Sequence, residues 1–291
     1  MSELIFPILF ADDTNAFVTG KNVNELVKTM NEELEKITEW LHANKLSLNV
    51  AKTHFIIFKS IGMAKPVFSE ILKINKVPIK EDSQTKFLGV IVDSKLSWHP
   101  HIQYIKSKIS KGIGIICKAK CNLNIETLRT LYYSFVYPYF NYAIEVWGDT
   151  CDSYMVSIVR LQKKAVRIIA NAGRYEHSTP LFDKLKLMTI KEIHFYKIAL
   201  TMYKVRQNTA PNVLTSLFTL NETVHSYNTR QSTSYHVPLS RTNYIKRTIS
   251  SKGVRIWNTC CKKLSLDCSY LSFKKSLRNL VCGNITQLES S

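Results

Sequence analysis

Asp12 and Asp13 stand between two short apolar runs, residues 8–11 and 15–19, an arrangement that predicts strand, tight turn, strand. Carboxylates held at such a turn can bind Mg²⁺, and nucleotidyl transfer by two metal ions depends on carboxylates placed in this way. The ions lower the pKa of an attacking 3′-hydroxyl and neutralise charge on the triphosphate. Neighbouring side chains on a strand point to opposite faces, so the pair would not hold one ion symmetrically; one leads and the other assists. An Asp pair is equally ordinary turn chemistry, because Asp bonds its own backbone readily, and the pair alone does not separate the two readings.

The surrounding pattern supplies elements to position it. After Gly20, apolar residues at 23, 26, 27, 30, 34, 37, 40 and 41 follow the three-and-four spacing of one helical face, with Asn22 and Glu25 as a capping pair. Strands are expected at 53–58, at 71–79 as a pair broken around Asn75-Lys76, and at 86–93. From Ile102 onward the period becomes helical, with further helices expected at 125–137 ending at Pro138, at 154–170 and at 190–206. Beyond Pro211 the reading is a short helix at 272–281 and strands near 235–239 and 254–257. The fold class is therefore α+β, a partial antiparallel sheet with one packed helix followed by a mainly helical domain. Its expected divisions are 1–100, 101–210 and a basic region 211–291.

Several of these landmarks together resemble one family. Leu9-Phe10-Ala11-Asp12-Asp13-Thr14 is similar to the catalytic hairpin of reverse transcriptases. The helix 23–41 follows at that family's spacing, and then Asn44-Lys45-Leu46-Ser47-Leu48-Asn49-Val50-Ala51-Lys52-Thr53 resembles a later palm motif. Phe87-Leu88-Gly89-Val90 and Leu96-Ser97-Trp98 resemble the primer-grip strand pair of jockey-like non-LTR retrotransposon enzymes, and segments 132–147, 161–169 and 253–258 their thumb and C-terminal region. The resemblance implies a fragment of an RNA-directed DNA polymerase with palm and thumb parts. Asp12 would be the main metal ligand, Asp13 the secondary one, and Lys52 a cation beside the leaving pyrophosphate. Phe87, Leu88 and Gly89 would grip the primer, with Gly89 letting another chain come close. The resemblance further implies Mg²⁺ as the cofactor of an active form and an RNA/DNA primer–template as the partner.

Only eleven residues precede Asp12, and Glu3 alone among them is acidic, so the expectation is a chain without fingers and without the strand that bears the family's third carboxylate. Such a chain would be inactive by itself, and its palm sheet would have an exposed edge through which it associates. The alternative is a non-catalytic nucleic-acid-binding remnant of a mobile element.

Charge supports nucleic acid as the partner. Residues 1–100 carry 12 lysines and no arginine against 12 acidic residues, so of 40 basic and 22 acidic residues the other 28 and 10 fall in 101–291, where the whole +18 lies. Such a field attracts a polyanion, and we expect contact through Lys106, Lys108, Lys111 and Lys118 on one helix and Lys163, Lys164 and Arg167 on another. The aromatic run from Tyr132 to Trp147 reads as helix packing in preference to base stacking. Seven scattered cysteines and no signal-peptide pattern suit an intracellular protein, nuclear or cytoplasmic, with reduced thiols. No His follows His236, which argues against a zinc knuckle among the late cysteines, and no apolar run is long enough to span a membrane.

Overall fold

A computed structural model describes residues 5–11, 13–59, 62, 68, 70–224, 232–264 and 268–283. The chain divides into two compact units, Met1–Ser97 and Trp98–Ser291.

In the first unit, β1 (Ile5–Phe10) pairs antiparallel with β2 (Asp13–Val18), and α1 (Val23–Ala43) follows. Asn22 caps that helix by accepting from the Asn24 amide at 3.1 Å, while its own amide donates to Glu25 at 3.1 Å. A conventional capping box would have Glu25 bind backbone; here it binds the cap's side chain. The remaining strands are short: β3 (His54–Phe55) runs parallel to β6 (Lys80–Glu81), β4 (Lys73–Ile74) pairs with β5 (Val77–Pro78), and β7 (Gln84–Phe87) with β8 (Val90–Asp93). Instead of one partial sheet, the described strands form four separate pairs. Asn75 and Lys76, at φ 51° and 65°, make the β4–β5 turn in the left-handed geometry that a two-residue hairpin needs.

The small core of this unit joins Val27 of α1 to Leu72, Ile74 and Ile79, with Val23, Met30 and Leu34 packed alongside. Asn31 is buried beside them. Its side chain accepts from the Lys73 amide at 3.1 Å and donates to the Ile71 carbonyl at 3.2 Å, so one amide pins the helix to the β4–β5 hairpin. The expected apolar face reached Trp40, yet that ring is 60% exposed, while Thr38 two residues before it is buried.

The second unit is helical: α2 (His99–Ala119), α3 (Ile125–Phe135), α4 (Tyr137–Asn141), α5 (Ile144–Trp147), α6 (Asp152–Ile169), α7 (Thr179–Leu185) and α8 (Ile190–Arg206). Short helices α9 (Asn212–Thr215), α10 (Asn221–Val224) and α11 (Asn243–Lys246) lead through a π-helical turn to α12 (Val254–Cys261) and α13 (Tyr270–Val281). Pro138 lies in the first turn of α4, a position where its missing N–H costs nothing, so it starts a helix as well as ending the one before. Residues 254–257, expected as a strand, are helical: Val254, Trp257 and Cys260 recur at three-residue intervals and are all buried. Near 235–239 only an isolated bridge, Leu220 to Tyr235, is formed.

One core serves the whole unit, and α12 and α13 belong to it: Trp257, Phe273 and Leu277 pack with α8, where Phe273 stacks on Tyr203 at 4.3 Å. The expected separate region after 211 therefore shares its interior with the helices before it. Gly112 lets α2 approach α3 closely, since a Cβ there would lie 2.6 Å from the Phe135 carbonyl oxygen. Glu192, in the capping box of α8, accepts from the Thr189 amide at 2.7 Å and from the Gly283 amide at 2.8 Å, fastening the end of α13 to the start of α8. Tyr132, Phe140 and Trp147 of the aromatic run are fully buried, as packing requires.

Gln162 of α6 is 1% exposed and saturated: its amide nitrogen donates to the Tyr132 hydroxyl at 3.1 Å and the Met188 carbonyl at 2.9 Å, and its oxygen accepts from the Ile190 amide at 2.9 Å. Burial raises the Tyr132 pKa, which keeps the hydroxyl neutral. Replacing Gln162 by Leu should destabilise the chain by about 2–4 kcal/mol, because three buried polar groups lose their partner, whereas Tyr132→Phe should cost about 1 kcal/mol. Urea unfolding of the two variants checks the difference. Burial also pushes His101 and His194 down to about 4, and Lys252 adds to the effect at His194. The unfolded imidazoles, near 6.5, take up protons first, so their contribution to stability is complete above pH 6.5 and is lost as pH falls toward 4. The urea midpoint should drop steadily from pH 7 to pH 5, and a midpoint independent of pH over that interval would contradict the burial of these rings.

Candidate functional site

In the β1–β2 hairpin Ile5 faces Val18 and Phe10 faces Asp13, and Ala11 leaves the last pair at φ 51°. Asp13, the first residue of β2, is exposed at the turn end of the ladder; Asp12 lies outside the described residues. The hairpin carries exposed Phe6, Leu9 and Phe10, with Leu9 at 71%, and neither of its edges pairs with another described strand. A two-stranded ribbon with such a surface is marginal in water without a further partner.

The segment expected as one strand at 86–93 is a second hairpin. Leu88 at φ 45° and Gly89 at φ 84° turn the chain between Phe87 and Val90, the kind of two-residue loop that matches strand twist. Phe87 and Leu88 are half-buried and Gly89 is exposed at the tip, so the primer-grip candidates sit at a turn and not within a strand. Phe87 meets Phe17 of β2 edge-on, ring centroids 6.4 Å apart, which brings this hairpin against the acidic one. At its base the Asp93 carboxylate accepts from the Ser97 amide at 2.9 Å and 3.2 Å.

Lys52 closes a single 3₁₀ turn, Val50–Lys52, whose N-cap Asn49 accepts from the Lys52 amide at 3.3 Å. Its side chain is exposed, and among the described residues no ion pair or hydrogen bond joins it to Asp13. Just after it His54 bonds the Thr85 hydroxyl at 2.6 Å, tying β3 to the hairpin β7–β8. Among the described residues no three His, Cys, Asp or Glu side chains gather as a metal site. The described residues thus supply one carboxylate at the hairpin and do not by themselves fit a pair of Mg²⁺ ions.

The cationic candidates divide by environment. On α2, Lys111 and Lys118 lie seven apart on the exposed face, while Lys106 and Lys108 are half-buried at its flanks, Lys108 with its ammonium 5.6 Å over the Tyr104 ring. On α6, Lys163 and Lys164 are exposed, and Arg167 donates through Nε to the Glu176 carbonyl at 2.7 Å. Arg160, not among the expected residues, is exposed and completes the ladder 160, 163, 164, 167; the i, i+3, i+4, i+7 spacing would have found it. The cysteines in the described residues are free thiols, and burial lifts Cys260 to about 12 and Cys261 to about 11, so these two are inert at neutral pH. No described helix is long and apolar enough to cross a membrane.

No family model matches the chain, and no solved structure matches it. Curated relatives do. The chain is 23% identical over 184 residues to the probable RNA-directed DNA polymerase from transposon X-element of Drosophila melanogaster, covering 62% of this chain and 20% of that protein. It is 26% identical over 186 residues to the probable RNA-directed DNA polymerase from transposon BS of the same organism, covering 63% and 20%. To the RNA-directed DNA polymerase from mobile element jockey it is 25% identical over 209 residues, covering 70% and 22%. It spans about a fifth of the length of the curated relatives it matches. These matches make the chain similar in sequence to the RNA-directed DNA polymerases of jockey-like mobile elements.

Proposed function

We propose that this chain is the portion of an RNA-directed DNA polymerase that runs from the acidic hairpin through the primer grip into thumb-like helices, and that these 291 residues do not polymerise alone. One observation carries the reading: a paired antiparallel hairpin presents Asp13 beside its turn, in a chain whose relatives are RNA-directed DNA polymerases. In that role Asp12 leads and Asp13 assists in holding Mg²⁺, Lys52 faces the triphosphate, and the Phe87-Leu88-Gly89 tip supports the primer. Gly89 suits this because its exposed backbone lacks a Cβ to obstruct an approaching strand.

Inactivity follows from ligand geometry. Two ions need acidic groups from more than one strand, and Asp13 is the sole described carboxylate at this end of the hairpin. A further acid-bearing strand added to the open edge of β1–β2 would meet both needs at once, covering Leu9 and Phe10 and completing the ligand set. The partner is an RNA/DNA primer–template, and the setting intracellular.

A second reading, a non-catalytic nucleic-acid binder, is favoured by the α6 ladder, whose exposed cations owe nothing to the hairpin. Primer extension with Mg²⁺ separates activity from binding. We expect no template-dependent incorporation by the 291 residues, and incorporation that Asp12→Asn abolishes would overturn the inactivity. Binding of a primer–template should weaken steeply as salt rises, and Lys163→Ala with Lys164→Ala should lower the slope of log affinity against log salt by about 1–2. Salt-independent binding would count against both readings.

A further inference from the structure

Immediately after α6 the chain makes a tight turn from Gly173 to Glu176, with Arg174 and Tyr175 at its two corners. Three hydrogen bonds hold it. The Glu176 amide donates to the Gly173 carbonyl at 3.1 Å, the Gly173 amide donates to the Glu176 carboxylate at 3.0 Å, and Arg167 holds the Glu176 carbonyl from the helix at 2.7 Å. The turn is therefore fixed twice to itself and once to α6.

At its corner Tyr175 is 90% exposed, with the Arg174 guanidinium 5.7 Å from the ring centroid. Single exposed apolar residues are common on protein surfaces and carry no message alone. Here the ring stands on a restrained turn, a cation lies against it, and the ladder of Arg160, Lys163, Lys164 and Arg167 runs along α6 toward it over about 10 Å. A rigid aromatic beside a cationic track is the recognition pattern of unpaired nucleic acid, in which a base stacks on the ring while phosphates meet the cations.

We infer that Tyr175 is a base-stacking residue for an unpaired nucleotide, with Arg174 and the exposed α6 cations holding the flanking phosphates. This rests on the nucleic-acid reading above and adds to it a preference for single strands. A duplex keeps its bases inside the stack and offers the ring no π-face along its length. Three hydrogen bonds hold the turn's backbone without ligand, so little backbone ordering is needed on binding. Arg167 has two parts in this arrangement: a rung of the ladder and the tie that sets the turn.

The test is affinity of the full chain, by fluorescence anisotropy, for labelled oligo(dT), oligo(rU) and a duplex of the same length. Tyr175→Ala should weaken single-strand binding about 5- to 100-fold, change duplex binding less than about twofold, and leave the salt slope unaltered, because no charge is removed. Tyr175→Phe should bind like the parent. Since the side chain is outside the core, the far-UV circular dichroism of both variants should match the parent's. A loss on oligo(dT), oligo(rU) or both supports stacking and shows which strand the turn takes. Unchanged single-strand affinity in Tyr175→Ala, or an equal loss on duplex, overturns the stacking inference while leaving the nucleic-acid reading in place; no binding by the parent chain overturns both.

Discussion

A buried amide must find partners for its nitrogen and its oxygen, and this chain fastens each of its units with one that does. In the helical unit Gln162 binds Tyr132, Met188 and Ile190 together, so α3, α6 and the entry to α8 hold one arrangement. Apolar burial by itself tolerates many packings of similar volume; a saturated amide accepts few. In the first unit Asn31 has the same part at smaller scale, joining α1 to the β4–β5 hairpin through both ends of its side chain. The elements that carry the candidate residues are held by these anchors: α6 with its cations by Gln162, and α1, next in sequence after the acidic hairpin, by Asn31.

The two units differ in how far they satisfy themselves. The helical one has a continuous core running from Ile102 to Val281, with α8 near its middle and Glu192 closing α13 onto it. Among the described residues the first has a small core cluster of Val27, Leu72, Ile74 and Ile79, and its described strands form two-stranded pairs. Its hairpin β1–β2 exposes Phe6, Leu9 and Phe10, the last paired with Asp13 beside the turn, and neither edge pairs with another described strand. An apolar sheet edge left unpaired by the described strands is a surface on which a further strand can add. The proposed chemistry has the same shape, since metal ions between strands need ligands from more than one of them.

Charge follows a separate logic. The neutral balance of the first hundred residues and the concentration of basic residues afterwards put the polyanion-attracting field on the helical part. Within it the cations are not equivalent. Lys108 lies over a tyrosine ring and Arg167 is engaged with a carbonyl, whereas Lys111, Lys118, Lys163 and Lys164 are exposed on helix faces. Charge counts place the field on a region, and packing decides which members of it can meet a phosphate.

Periodicity and residue type alone were enough for the acidic hairpin, α1 and the main helices, because a three-and-four spacing or an Asp pair between apolar runs is a local property. The ladder on α6 was equally local, and Arg160 was legible in it. Other features depended on contacts distant in sequence. Leu88 takes a left-handed conformation that its side chain does not favour, so the β7–β8 hairpin reads as a single strand until its pairing is formed. Residues 254–257 carry branched side chains that suggest a strand, and burial against α8 makes them helix. Asn31 and Gln162 look like surface positions, being polar; their partners lie 42 and 30 residues away and exist only in the folded chain. The resemblance, the acidic pair and the basic last two thirds were written in residue order, whereas the anchoring amides, the Phe17–Phe87 contact and the restrained Tyr175 turn came from tertiary structure, because each requires groups that sequence spacing alone does not bring within reach.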